Sequence, residues 1–303
     1  MKFKKNPESG DPSIIQQSFQ KMSMNVHCCR YWWIKQWRIQ RLSYPYWRLY
    51  WNKTPGAYVY FKEKVPLDPD KLILIPPHTA FSTNIETDGA VTQDEYCLEG
   101  GWVQTPQKEL EAMDHGHIIH FFTHFNLGYS FDNISPVIYH FPADPNLLHS
   151  IEEITGFIKL GKKNFGFSES IKIYQLISSV ISLVPIEDWG RSSISAGILE
   201  IMNYIHRHLE DQINNETLAR ILNMAPNSFS RLFKQQTGFT PQSYIRKTRI
   251  ENACRLLHHS EASISSIAEE CGFSDRYYFT KVFSEVTKVS PALYRKKMYL
   301  GRM

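Results

Sequence analysis

Apolar residues in the last third of the chain recur at helical spacing, and the whole pattern occurs twice. Leu218, Ala219 and Leu222 make one short stripe, and Phe229, Leu232 and Phe233 make a second at i, i+3, i+4. Thr237, Pro241 and Tyr244 follow. Ile267 and Ala268 open a second copy, with Phe279, Val282 and Phe283 as its long stripe and Thr287, Pro291 and Tyr294 after it. From phenylalanine to tyrosine the copies are offset by 50 residues, and at the alanines by 49, so the second copy carries one more residue in its turn. A short helix, a tight turn and an amphipathic helix, repeated, predict two helix-turn-helix units. Between them, Ile250, Ala253, Cys254 and Leu257 predict a connecting helix from about Ser243 to His258. Its other face carries Arg246, Lys247, Arg249 and Arg255, and Arg249 fits a brace between the units as well as a phosphate contact.

Polar punctuation agrees with the apolar pattern. Asn214 or Asn215 can cap the first short helix, and Pro226 suits the first position of the next, where its missing N–H would be unpaired anyway. Gly238 fits a left-handed C-terminal cap. In the second copy Ser266-x-x-Glu269 fits a capping box, Gly272 can end the short helix, and Ser274 or Asp275 can cap the long one. At about 100° per residue, Asn227, Ser228, Ser230, Arg231 and Lys234 fall outside the first buried stripe. Arg276, Tyr277, Tyr278, Thr280 and Lys281 do the same in the second copy. These ten side chains suit base edges and phosphates, which makes them the candidate DNA-binding residues. Any exposed helix face also needs polar residues, so the type of residue alone does not separate a reading face from a solvated one.

At these residues the chain resembles the AraC/XylS family of bacterial transcription regulators. The stretch Asn227-Ser-Phe-Ser-Arg-Leu-Phe-Lys234 with Thr237-Gly-Phe-Thr-Pro241 is similar to that family's first unit. Ile267-Ala268, Gly272-Phe-Ser-Asp275, Tyr278-Phe-Thr-Lys-Val-Phe283 and Val289-Ser-Pro291 are similar to its second. There are departures: Ala225 stands where the family favours a capping serine, Lys281 where it has arginine, Ser284 where it has lysine, and Lys288 where it has glycine. Lysine keeps the charge of arginine but lacks the bidentate fork that reads guanine, so the second unit is expected to read bases less sharply.

Residues 1–160 carry a different pattern. Short β-rich runs, Tyr46 to Trp51, Ala57 to Phe61, Lys71 to Ile75 and His117 to Phe125, lie between turn signals such as Asn52-Lys-Thr-Pro-Gly56 and Pro76-Pro77. They predict a small β-barrel or sandwich, and the resemblance implies a cupin-like barrel in this position. Two helical stretches follow, Asn146 to Leu160 and Glu169 to Leu183, with Gly161 to Gly166 as a joint; a third helix, Ile194 to Leu209, opens the C-terminal domain. The expected class is α+β in two domains: a β-barrel with flanking helices over 1–160, a helical linker over 161–192, and an all-α domain over 193–303 with two helix-turn-helix units joined by a long helix.

Charge divides the chain in the same place. From Arg191 onward 16 Lys and Arg stand against 10 Asp and Glu, a net of +6, while the preceding residues carry 18 against 20, a net of −2. A basic segment on a near-neutral one suggests a nucleic-acid module attached to a module with another task. Five of the seven tryptophans (Trp32, Trp33, Trp37, Trp47, Trp51) lie within twenty residues among Arg30, Lys35, Arg38, Arg41 and Arg48. Such a stretch suits packing, a pocket for a sugar or anionic metabolite, or, least readily, stacking on single-stranded nucleic acid. Trp33, Arg48, Trp51, His78, His120 and His124 are its candidate ligand-binding residues. His115-Gly-His117 invites comparison with the metal pair of cupin enzymes, but the carboxylate that should follow it is missing and the histidines of one strand would split between faces. No metal, no other cofactor and no catalytic residue is expected.

The five cysteines, an odd number including the neighbours Cys28 and Cys29, form no disulfide scaffold. No run follows Met1-Lys-Phe-Lys-Lys that reads as a signal peptide, and no window approaches a membrane span. The expectation is a cytoplasmic regulator of double-stranded promoter DNA, an activator as the resemblance implies, responding to a small-molecule effector of carbohydrate type. RNA polymerase and a second copy of the chain are its implied protein partners. Two alternatives stand beside it: a cupin-like metalloenzyme with a DNA-binding tail, and a constitutive regulator whose barrel only dimerises.

Overall fold

The computed structural model describes residues 22–85, 97–162, 164–189 and 194–299. Residues 1–7, position 163 in the joint and positions 190–193 at the domain border, all used above, lie outside the described residues.

Among the described residues, nine strands form one antiparallel sheet: β1 (Asn25–Leu42), β2 (Trp47–Asn52), β3 (Ala57–Tyr60), β4 (Lys64–Leu67), β5 (Lys71–Ile75), β6 (Phe81–Ile85), β7 (Cys97–Trp102), β8 (Ile118–Asn126) and β9 (Tyr139–Pro142). Their order is β4-β3-β6-β1-β8-β2-β5-β9, with β7 also on β1. The sheet curls into a half-barrel organised by β1, whose 18 residues pair with β8, then β7, then β6. Register shifts at Val26/Cys28, Ile34/Gln36 and Ile39/Leu42 let so long a strand bend between these partners.

Helices α1 (Pro106–Asp114), α2 (Tyr129–Asp132), α3 (Pro145–Lys159) and α4 (Phe167–Ile181) accompany the sheet. Asp144 caps α3 by accepting from Asn146 and Leu147 N–H, and Pro145 begins it. Leu147, Ile151, Ile154 and Ile158 of α3 and Ile173, Leu176, Ile177 and Val180 of α4 repeat every three or four residues. They bury against Tyr31, Trp47, Leu49, Leu72, Leu74, Phe121 and Phe125 on the outer face of the sheet. Burial of each such side chain stabilises by about 1.5–3 kcal/mol. The inner, concave face has its own core of Ile34, Trp37, Tyr44, Tyr46, Tyr50, Val59, Ile73, Ile75 and Phe81. With both faces covered, β2 is buried at all six positions. Segment 161–192, expected as a linker, thus contributes α4 to the outer core.

Glu109 ties these layers together. Its carboxylate accepts from Tyr31 Oη on β1 at 2.6 Å, from Lys53 Nζ at 2.7 Å and from Lys159 Nζ on α3 at 2.9 Å. Burial alone would push this carboxyl up, but the three donors outweigh it and hold it down at about 2.

Seven further helices follow: α5 (Ala196–Arg207), α6 (Asn215–Ile221), α7 (Pro226–Thr237), α8 (Pro241–His259), α9 (Ile264–Glu270), α10 (Arg276–Thr287) and α11 (Pro291–Tyr299). Two cores result. Ile198, Ile201 and Ile205 of α5 pack with Leu218, Phe229 and Phe233, and Ile267, Phe279 and Phe283 pack with Ala253 and Leu257. The 19-residue α8 belongs to both, through Tyr244 and Ile245 at one end and Ile250 to Leu257 at the other.

Candidate nucleic-acid interface

Each unit is locked by the same backbone pattern. Met224 N–H donates to Ala219 O in the first turn and Phe273 N–H to Ala268 O in the second, both at 2.9 Å. Thr237 Oγ1 donates to Phe233 O at 2.7 Å and Thr287 Oγ1 to Phe283 O at 2.8 Å. The extra residue of the second copy lies between α9 and α10, where residues 271–275 do the work of 222–225. Asn214 caps α6 and Asp275 caps α10, each through a side-chain oxygen, whereas Ala225 leaves α7 without one. One cap differs from expectation. Ser263, three residues before Ser266, accepts from Ser266 N–H and starts α9 a turn earlier than the capping-box pattern suggested. The Ser-Ile-Ser-Ser run offers several hydroxyls, and burial of Ile264 and Ile267 on one face selects the earlier start.

The buried stripes leave the candidate contact residues outside. On α7, Asn227, Ser228, Arg231 and Lys234 are exposed, while Ser230 is half-buried and receives Asn215 Nδ2 at 3.3 Å. On α10, Arg276, Tyr277, Tyr278 and Lys281 are exposed and Thr280 is half-buried. Tyr277 is 87% exposed, an unusual position for so large an aromatic ring in the absence of a partner surface. Arg249 resolves as a brace: its Nε donates to Leu209 O at 2.9 Å and its Nη2 to Asp211 O at 2.7 Å. Gly272 leaves room for it, since a Cβ there would lie 2.2 Å from Leu209 O and 2.7 Å from Arg249 Nη2.

The candidate ligand residues of the sheet divide. Arg48, His120 and His124 are buried on the concave face. Trp33 and Trp51 pack on the outer face, with Trp33 stacked on His117 at 5.0 Å and Trp51 Nε1 donating to Pro69 O. Alternation along a strand separates Arg48 from Trp51, so one pocket cannot contain both. Arg48 donates to Tyr50 Oη at 2.6 Å and Tyr46 Oη at 3.2 Å, and its guanidinium lies over the Tyr44 ring. His120 pairs with Asn52 Oδ1 at 2.7 Å, and burial, aided by Arg48, pushes its imidazole down to about 3. His78 is exposed and reaches Glu251 of α8 at 3.3 Å. An open cleft of about 250 Å³ lies elsewhere on the sheet, lined by Arg38, Tyr58, Tyr60, Ser82 and Asn84 among others, and includes none of the six.

The concave face meets the helical domain at the end of α8. Tyr46 Oη hydrogen-bonds His258 Nδ1, and the rings of His258 and His259 lie 5.4 and 5.3 Å from that of His124. Cys28, His124 and His259 bring one ligand atom each within 4.8 Å of one another. They come from β1, β8 and α8, so no spacing along the chain announced them.

Two helix-turn-helix units on one helical body, each presenting a polar face, define a DNA-binding domain of the helix-turn-helix class. Residues 218–297 match the family model described as "Helix-turn-helix domain". Over 91 residues the chain is 37% identical to the HTH-type transcriptional activator RhaS of Escherichia coli (strain SE11), which is 30% of this chain and 33% of the relative. The same identity and coverage hold for RhaS of Shigella boydii serotype 18 (strain CDC 3083-94 / BS512). The match thus spans a third of the length of these curated relatives. Among solved structures, the C-terminal domain of AraT, a response regulator from Geobacillus stearothermophilus, is 33% identical over 35% of this chain and 88% of its own, at a TM-score of 0.34. Fatty-acid-bound ToxT from Vibrio cholerae strain SCE256 aligns over 93% of this chain and 98% of its own, with 14% identity and a TM-score of 0.48. Over residues 218–297 the chain thus carries a helix-turn-helix domain of the AraC type, similar to that of these regulators.

Proposed function

We propose that the chain is a transcription regulator that binds double-stranded promoter DNA through both helix-turn-helix units and acts as an activator. The observation that carries the reading is the pair of exposed polar faces, Asn227 to Lys234 and Arg276 to Lys281, on units coupled through a single helix. Two readers held in this way suit successive major grooves on one side of the duplex, roughly 34 Å apart. Asn227, Ser228, Ser230 and Arg231 are assigned to base edges, Lys234 to phosphate, and Tyr277, Tyr278, Thr280, Arg276 and Lys281 to the second half-site. The similarity to RhaS, described as a transcriptional activator, supports the sign of regulation and makes RNA polymerase the expected protein partner.

The sheet domain takes the role of sensor, with a small-molecule effector of carbohydrate type, rather than that of an enzyme. Direct contact between the concave face and α8 supports this division, because a change at the sheet then biases the helix that spaces the two readers. Exposed Phe167, Ile171 and Tyr174 on α4 favour a homodimer. The packing of α4 on the sheet supports ending the sensor near residue 189 rather than 160. A constitutive regulator is the second reading, favoured by the dense aromatic filling of the concave face.

Selection of the purified chain against a random duplex library, with and without a panel of sugars, tests both readings. Two enriched blocks about one helical turn apart, lost in Arg231→Ala, support the DNA reading. No enrichment under any condition would sink it. Enrichment indifferent to every sugar would favour the constitutive form.

A further inference from the structure

We propose that Cys28, His124 and His259 form a buried site for a soft monovalent metal ion, Cu(I), which clamps the end of α8 to the sheet. A triangle with sides of at most 4.8 Å puts all three ligand atoms within about 2.8 Å of a common point, against roughly 2.0–2.3 Å for metal–nitrogen and metal–sulfur bonds. Closing that gap takes a movement of well under 1 Å, of the order of a side-chain adjustment.

A second observation points to a ligand. His124 is 2% exposed, and neither of its ring nitrogens has a hydrogen-bond partner among the described residues; the same holds for His259 Nε2. An imidazole buried with both nitrogens unpaired is costly, and native interiors rarely retain one without a use. Neutral imidazole is the form that ligates.

The donor set selects the ion. One thiolate and two imidazoles suit copper or zinc, not magnesium or calcium. Among the described residues, the ligand atoms that lie within 4.8 Å of one another are these three. Structural zinc wants four ligands. Charge argues the same way. The Cys28 sulfur ligates as a thiolate, so its thiol proton must leave on binding. Binding exchanges that proton for the cation: the S–H bond breaks, an S–Cu bond forms, and one proton leaves. With Cu(I) the site stays neutral beside Arg48 and Arg30, whereas Zn(II) would leave an uncompensated positive charge in a buried place. Since His259 ends α8, an occupied site ties the helix spacing the two readers to β1 and β8.

The test is titration of the full chain with Cu(I) under anaerobic, reducing conditions against a chromogenic Cu(I) chelator, with Zn(II) in parallel. One equivalent of Cu(I) should bind, and Cys28→Ser and His259→Gln should each weaken it by on the order of a hundredfold or more, a loss at least as large as second-shell changes cause. Cys97→Ser should bind as the parent does. X-ray absorption on the unmutated, loaded chain should show one sulfur and two nitrogens around copper, a readout that no variant's folding affects. A sulfur-only shell, undiminished binding in Cys28→Ser, or stronger stoichiometric binding of Zn(II) would each overturn the assignment.

Discussion

Lys288 stands fifty residues after Gly238 and holds the same place in its unit: each ends the second helix in the left-handed conformation, at φ 64° and 78°. The turns show the converse exchange, with Asn223 at φ 52° in the first unit and Gly272 at φ 73° in the second. Glycine adopts this conformation freely, while a residue with a Cβ is strained by about 1–2 kcal/mol. Lys288→Gly is therefore expected to stabilise the second unit by about 1 kcal/mol, and Gly238→Ala to cost the first unit a similar amount. Denaturant melts of both variants against the parent check the signs; a destabilising Lys288→Gly would mean that the lysine side chain, whose Nζ donates to Glu285 O at 2.9 Å, contributes more than the backbone loses.

Why one half of the chain was legible and the other only partly so follows from burial. In the DNA-binding half each helix has one wet face, so Phe229 and Phe233, or Phe279 and Phe283, print their period on the sequence. The apolar spacing predicts the connecting helix to within two residues of Pro241–His259. In the sheet domain β2 is dry on both faces, and β1 mixes Trp32, Trp33 and Trp37 with Lys35 and Arg38 across three register shifts, so its 18 residues show no steady alternation. β2, β3, β5 and β8 were visible because turns bracket them. Trp33 and Trp51 are near Arg48 in sequence, but the pleat sends them to the opposite face. The Cys28, His124 and His259 cluster depends on how two domains meet, which no local pattern encodes.

Arg249 makes a second prediction. Its guanidinium holds the carbonyls of Leu209 and Asp211 and packs beside the Gly272 turn, joining the loop after α5 to the second unit. Arg249→Ala should lower the stability of the DNA-binding domain by about 2–3 kcal/mol, the range for loss of hydrogen bonds to a charged group. The salt dependence of DNA binding should stay as it was, because no phosphate contact is removed. A slope reduced by about one with unchanged stability would make Arg249 a phosphate ligand instead.

Glu109 predicts an acid-side loss of stability in the sheet domain. Its carboxyl falls from an ordinary 4.5 to about 2 in the fold, because the donors Lys53, Tyr31 and Lys159 together outweigh burial. A depressed carboxyl contributes fully above about 4.5 and loses that contribution as pH falls toward 2. The shift corresponds to about 3 kcal/mol at neutral pH. Glu109→Gln should be less stable than the parent by about 2–3 kcal/mol at pH 7, and the two should converge as the pH approaches 2. Parallel denaturation curves with a constant gap across that window would show that the charge on Glu109 is not what the three donors stabilise.

The second unit offers the sharpest test of how the proposed interface reads DNA. Lys281 is exposed on α10, on the face away from Phe279 and Phe283, where the family resemblance implies an arginine. Lysine brings a single strongly hydrated point charge, so it is expected to hold phosphate or guanine without fixing one base. Arginine at the same point presents two parallel N–H donors matched to guanine O6 and N7, worth about 1–3 kcal/mol of discrimination against the wrong base. Lys281→Arg should therefore leave the first block of the selected motif as it is and sharpen the second block at one position toward guanine. Net charge does not change, so non-specific affinity and its salt slope should match the parent. If sharpening appears at no position while affinity is kept, Lys281 faces the backbone, and the second unit positions the protein while the first reads the sequence.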